Sequence, residues 1–202
     1  MAKSSVHLNG NVFCAVDVET TGLQVGFHEI WQVAILPLDS LGFPSKEILP
    51  FYQDIRVNYP ERINKRAIHL NRNDFAIRQK RALDPFSCTD MLEEWFQRLD
   101  LPIYKKIVPL AHNWPFDRSF LLEWLGETSF HDFFHPHYRD SMATAIFLMD
   151  LASHRCNRVE MTRFSLTSLC NEFKITNMKA HDALQDCIAT AELYRRLLQY
   201  AS

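Results

Sequence analysis

Asp17 and Glu19 stand two residues apart in Asp17-Val18-Glu19-Thr20-Thr21-Gly22, directly after an apolar run. Asp117 closes His112-Asn113-Trp114-Pro115-Phe116-Asp117, after a second apolar run. Asp186 comes five residues after His181 in His181-Asp182-Ala183-Leu184-Gln185-Asp186, where a helical pattern opens. Four carboxylates gathered at one point repel one another and are costly to bury unless cations sit between them. With no cysteine in the set, the chemistry asks for hard, oxygen-loving ions such as Mg²⁺ or Mn²⁺. A histidine beside such ions is placed to take a proton from water.

The elements that must carry these residues are legible from pattern. Residues 12–16 form a short continuous apolar run, as in a strand buried on both faces, and it ends at Asp17. Two apart on a strand, Asp17 and Glu19 point to one side. Residues 30–38 predict a second strand and 48–57 a third, with Pro50 suggesting an edge or a bulge. Short connections favour antiparallel pairing of these three. Residues 62–80 read as helical or mixed. Asp90 and Glu93 make a capping-box pattern ahead of an amphipathic helix carrying Leu92, Phe96 and Leu99. Residues 107–111 predict a fourth strand. Pro115 suits a first helical turn, and Asp117, Phe120, Leu121 and Trp124 then share one helix face. A helix over 141–151, capped by Asp140 or Ser141, a short one over 165–173 and a short strand near Tyr138 follow. The last helix starts with a second capping box, Asp182 with Gln185. With His181 in the loop before that helix, His181 and Asp186 can reach one site. The order suits a mixed sheet covered by helices.

Bulk properties set bounds. The 202 residues suit one domain, and 47% hydrophobic with 23% charged residues favours a packed fold over disorder. No apolar run approaches the ~20 residues of a membrane span, and the first residues show no signal-peptide core, so a cytoplasmic location is expected. Cys14, Cys88, Cys156, Cys170 and Cys187 read as reduced thiols. The net charge of −2 argues against strong non-specific duplex binding. The charge is uneven, however. Arg62, Lys65, Arg66, Arg72, Arg78, Lys80 and Arg81 face only Glu61 and Asp74, and Arg155, Arg158 and Arg163 form a second patch. Either is a phosphate track or, more commonly for such a run, a solvated face. His131, His135 and His137 match no standard zinc spacing, and Pro136 breaks any helix there, so a solvent-exposed loop is expected.

Together the three motifs resemble the DEDDh 3′→5′ exonucleases, the group that includes polymerase proofreading domains and ribonuclease T. The likeness is carried by Asp17-x-Glu19-Thr20-Thr21-Gly22-Leu23, by His112-Asn113-x-x-Phe116-Asp117-x-x-Phe120-Leu121, and by His181-x-Ala183-x-x-Asp186 with Thr190-Ala191. Fainter likeness extends over residues 29–34 and to Pro60, Glu61, Ile63, Ala67 and His69. The chain has Gln32 where the family often has Glu, and Trp114 where it often has a small residue. Gln32 falls outside the metal set and reads as structural. Trp114 is either a core or rim aromatic or alters what fits the site.

The resemblance implies an α/β, ribonuclease H-like fold, a central five-stranded mixed sheet with helices on both sides, and a single exonuclease domain over 1–202. It implies two Mg²⁺ or Mn²⁺ ions held by Asp17, Glu19, Asp117 and Asp186, with Asp17 bridging, and His181 as general base. Thr20, Gly22 and Leu23 would cradle the terminal nucleotide, Leu23 packing on its base, helped by His69 and Phe116. Asn113 either contacts substrate or fixes its loop. His112 reads as packing or loop-orienting. The expected activity is removal of nucleotides from the 3′ end of single-stranded DNA or RNA, releasing 5′-mononucleotides. The alternatives are a catalytically silent nucleic-acid-binding or polymerase-docking module, and a small-molecule phosphodiesterase using the same site. With the chain ending about a dozen residues after Thr190, no long polymerase-binding tail is expected, and a freestanding enzyme or small subunit is favoured. Polymerase association and homodimerisation are both left open, and no membrane partner is expected.

Overall fold

A computed structural model describes residues 6–68, 72–155, 161–177 and 181–200. The central strand β2 (Asn11–Thr20) pairs antiparallel with β3 (Ile30–Leu38), and β3 with β4 (Phe51–Asp54). On its other side β2 runs parallel to β5 (Ile107–Ala111), which runs parallel to the two-residue β6 (Arg139–Asp140). The order β4-β3-β2-β5-β6 is the expected five-stranded mixed sheet. A short β1 (Val6–Leu8) adds a hairpin partner at the start of β2. The helices are α1 (Arg72–Gln79), α2 (Pro85–Gln97), α3 (Trp114–Phe133), α4 (Ser141–His154), α5 (Leu166–Glu172) and α6 (Ala183–Tyr200).

Alternation along β2 divides the core. Val12, Cys14, Val16 and Val18 face a cluster with Leu92 and Trp95 of α2 and Phe120 and Leu121 of α3. Phe13 and Ala15 face the other way, onto Ala183, Cys187 and Ala191 of α6. The small side chains along that stripe let α6 lie close on the sheet, and Cys187 Sγ reaches the Ala34 carbonyl at 3.6 Å. Asp17 and Glu19 continue the α6-facing set, so the sheet's pleat aims both carboxylates at the start of α6. A third cluster, including Ala145, Leu148, Leu169, Leu193 and Leu197, packs α4 and α5 onto the back of α6. Cys14, Cys88, Cys170 and Cys187 are free and buried, while Cys156 lies outside the described residues. No helix among the described residues is long and apolar enough to cross a membrane.

Three elements differ from the pattern reading. The third strand is shorter than 48–57. Beyond Ile55 the backbone leaves the ladder, Arg56 N–H donating to the Leu83 carbonyl and Val57 N–H to the Gln79 side chain. Helix α2 begins at Pro85 rather than at the Asp90 box. Asp84 is its N-cap, accepting from Ser87 N–H at 3.0 Å, and Pro85 fills the first turn, where its missing N–H costs nothing. Helix α3 kinks at Gly126, whose φ of 75° and ψ of 162° lie outside the helical region; a residue without Cβ accepts this readily.

Candidate active site

The site assembles where β2, α3 and α6 converge. Asp17 and Glu19 come from the end of β2, each partly buried. Asp117, at 3% exposure, lies in the first turn of α3, and Asp186, at 8%, in the first turn of α6. Asp117 Oδ1 accepts the backbone N–H of Val18 at 3.1 Å, which pins α3 to the strand between Asp17 and Glu19. Asp186 is held on both oxygens. Asn177 Nδ2 donates to Oδ1 at 2.6 Å, and His181 N–H donates to Oδ2 at 3.1 Å. His181 precedes α6 in a left-handed conformation, φ 66°. This turns the chain so that His181 and Asp186 meet instead of diverging along a helix. Ligand atoms of Glu19, His181 and Asp186 all fall within 4.8 Å of one another.

The carboxylates burden one another. Burial pushes Glu19 up to about 8, with Asp186, Asp182 and Asp117 adding to the shift. Asp17 is held well above the usual carboxylate range by burial and then by Asp117, Glu19 and Asp186. Asp117 is also raised, chiefly by burial, against the pull of the Val18 N–H. Asp186 is raised by burial, against the donors from Asn177 and His181. Mutual repulsion among partly buried, oxygen-only donors is the condition a hard cation relieves. The donor set therefore fits Mg²⁺ or Mn²⁺ and not a thiol-preferring metal.

The loop after β2 is shaped from within. Thr20 Oγ1 donates to the Gly22 carbonyl at 2.7 Å, while Thr21 Oγ1 accepts Glu29 N–H at 2.9 Å. A Cβ on Gly22 would meet the His28 ring at 2.2 Å, so only glycine lets the loop fold back on His28. Leu23 then projects with 78% of its surface exposed. Phe116 is partly buried and packs on Phe120, ring centres 5.0 Å apart. His69 lies outside the described residues.

His112 is occupied structurally, one ring nitrogen at 2.8 Å from Ser141 Oγ and the other at 2.8 Å from the Phe164 carbonyl. Trp114 is a core aromatic, 2% exposed, packed among Phe130, Phe134 and Tyr138. Asp140, a cap candidate for the 141–151 helix together with Ser141, has a second role that the sequence did not show. Its carboxylate caps α4 through Met142 and Ala143 N–H and also accepts Asn113 N–H at 3.2 Å and Trp114 N–H at 2.8 Å. The Asn113 turn, φ 72°, is thus fixed by Asp140, and the Asn113 side chain makes no cap bond. That second role lies at the end of the neighbouring strand β5. Gln32 is fully buried and accepts Ala183 N–H at 2.9 Å, a structural role as expected. Arg78 is committed to Asp54 and Asp182, so the basic stretch is not uniformly a solvated face or a phosphate track.

A ribonuclease H-like sheet with clustered acids at the mouth of its central strand defines a class, the nucleases built on that fold. Within it, a family model described as Exonuclease (RNase_T) matches residues 14–194, and the chain belongs to that family. No curated protein matches the chain in sequence. Among solved structures, cell-death related nuclease 4 (CRN-4) superposes with a TM-score of 0.71 at 16% identity, over 93% of this chain and 64% of that one. The nuclease domain of 3′hExo, a DEDDh family member bound to rAMP, gives 0.66 at 18% identity, over 93% and 92%. E. coli Exonuclease I in complex with a dT13 oligonucleotide gives 0.68 at 19% identity, over 93% and 42%. At these identities the likeness establishes the fold. The chain spans about two thirds of the first of these proteins and less than half of the third.

Proposed function

We propose that this protein is a metal-dependent 3′→5′ exonuclease acting on single-stranded nucleic acid, with residues 1–202 as one exonuclease domain. The observation that carries the reading is the meeting of Glu19, His181 and Asp186 within 4.8 Å, beside Asp17 and Asp117, in a chain of the exonuclease family. The intact constellation counts against a silent binding module.

Asp17, Glu19, Asp117 and Asp186 would hold two Mg²⁺ or Mn²⁺ ions. Bound there, such ions would neutralise the carboxylates and supply charge stabilisation for an in-line displacement at phosphorus. His181 takes the proton of the attacking water as its oxygen bonds to phosphorus. The bond to the 3′ oxygen of the shortened strand breaks, and a 5′-mononucleotide leaves. Asn177 and the His181 N–H orient Asp186, and the Val18 N–H orients Asp117. Thr20 and Gly22 shape the loop that presents Leu23, an exposed apolar side chain suited to pack on the terminal base. Asn113, Phe116 and His69 complete the nucleotide site in this reading.

The test is digestion of 5′-labelled single-stranded DNA and RNA with Mg²⁺, Mn²⁺ or EDTA. A stepwise ladder and 5′-mononucleotide release with metal, and neither with EDTA, are expected. Full activity in chelator, or efficient cutting of a circular strand, would overturn the reading.

A further inference from the structure

Arg78, on α1, sits 104 positions before Asp182, yet its Nη2 donates to Asp182 Oδ2 at 2.8 Å. Its Nη1 donates to Asp54 Oδ1 at 3.0 Å and to the Tyr52 hydroxyl at 2.8 Å. Tyr52 in turn donates to the same Asp182 oxygen at 2.7 Å. Burial and Asp182 hold the Tyr52 phenol protonated, so it keeps that proton to donate. Gln32 joins the two halves, donating to Asp54 Oδ1 at 2.6 Å and accepting Ala183 N–H at 2.9 Å. Five side chains from β3, β4, α1 and the start of α6 thus form one connected set around the residue that follows His181.

The connection matters because His181 sits in a conformation that L-residues rarely adopt. Such a conformation persists where its surroundings over-determine it. On one side His181 N–H is tied to Asp186. On the other, Asp182 is 6% exposed and its two oxygens are divided. Oδ1 takes Gln185 N–H at the helix start, and Oδ2 takes Arg78 and Tyr52. A planar guanidinium suits this task, since it fixes direction through several donors where an ammonium supplies only charge.

We propose that Arg78 is a positioning residue for His181: by clamping Asp182 to Asp54 and Tyr52 it fixes the turn that faces His181 toward Glu19 and Asp186. The proposal rests on the reading of His181 as general base. Arg78 does not touch substrate; it acts through Asp182.

The test compares Arg78→Met, Arg78→Lys and the exposed control Arg98→Met in the full chain. Three quantities are read: melting temperature, kcat and KM on a short oligonucleotide at saturating Mn²⁺, and the imidazole ¹H–¹³C signal of His181 without metal. Arg78→Met is expected to lower kcat about 10- to 100-fold with KM within about twofold, as for other groups that orient site residues. The His181 signal should move, and Arg78→Lys should fall between. If Arg78→Met does not fold, Arg78→Met with Asp54→Asn and Asp182→Asn removes the uncompensated charges, and the same kcat loss is expected. Unchanged kcat and an unmoved His181 signal in a folded variant would overturn the proposal. So would a raised KM with unchanged kcat, which would make Arg78 a phosphate contact. Should the wild-type chain fail to hydrolyse any strand, the exonuclease reading falls while the His181 signal still decides the role of Arg78.

Discussion

The carboxylate of Asp117 accepts the backbone N–H of Val18 across 99 positions of sequence. One side chain therefore does two things: it anchors α3 to β2 and adds a negative charge to the cluster. The two can be separated. Asp117→Asn keeps an acceptor for Val18 and removes the charge, so turnover should fall by orders of magnitude while the metal-free protein melts higher. Asp117→Ala also strands a buried N–H, costing about 1–3 kcal/mol, so it should melt lower. Thermal melts in EDTA beside activity in Mn²⁺ check both, and equal melting of the two variants would refute the division.

Metal-free stability should depend on pH with a definite sign. Glu19 is raised from 4.5 to about 8 by burial first and its acidic neighbours next. A carboxyl whose folded value is raised favours folding when protonated. That contribution is complete below about 4.5 and is lost as pH rises through about 8. In EDTA the melting temperature should therefore drop between these limits, by roughly 5 °C or more for a domain of this size. Mn²⁺ should flatten the curve. A metal-free curve that rises over this window would contradict the repulsive cluster.

Gly22→Ala should damage the loop that presents Leu23, because the new Cβ meets the His28 ring at 2.2 Å. The expected cost is about 1–3 kcal/mol, with a larger loss in kcat/KM than in melting temperature. The backbone at Gly22 is not left-handed, and the atoms a Cβ would meet first belong to the His28 ring. Gly22→Ala with His28→Ala should recover most of the activity; a double variant as poor as the single one would point to the backbone instead.

Asp140→Ala removes four acceptor contacts at once, two at the start of α4 and two at the Asn113 turn. A loss of about 2–3 kcal/mol is expected. Asp140→Asn should retain part of the stability, and kcat should fall further than unfolding accounts for, since the turn aims α3. Denaturant melts and initial rates on the same samples decide it.

Local chemistry made much of this protein readable in its sequence. The pleat aims Asp17 and Glu19 to one side, Asp182 caps α6, and a helix start between His181 and Asp186 lets two residues five apart converge, each a rule acting over a few residues. The apolar runs likewise located β2, β3 and β5, because a buried strand must be apolar whatever its neighbours are. Tertiary structure alone decided the rest. The start of α2 is an exception, a local cap at Asp84 and a proline at Pro85 that the box at Asp90 obscured. Trp114 went into the core, though Asp117, three residues on, joins the acidic cluster. Asp140 and Arg78 found partners far away in sequence, on other elements. A charged or polar side chain can be satisfied by any complementary group the fold brings near. Its partner is therefore fixed by packing in three dimensions and leaves no periodic trace along the chain.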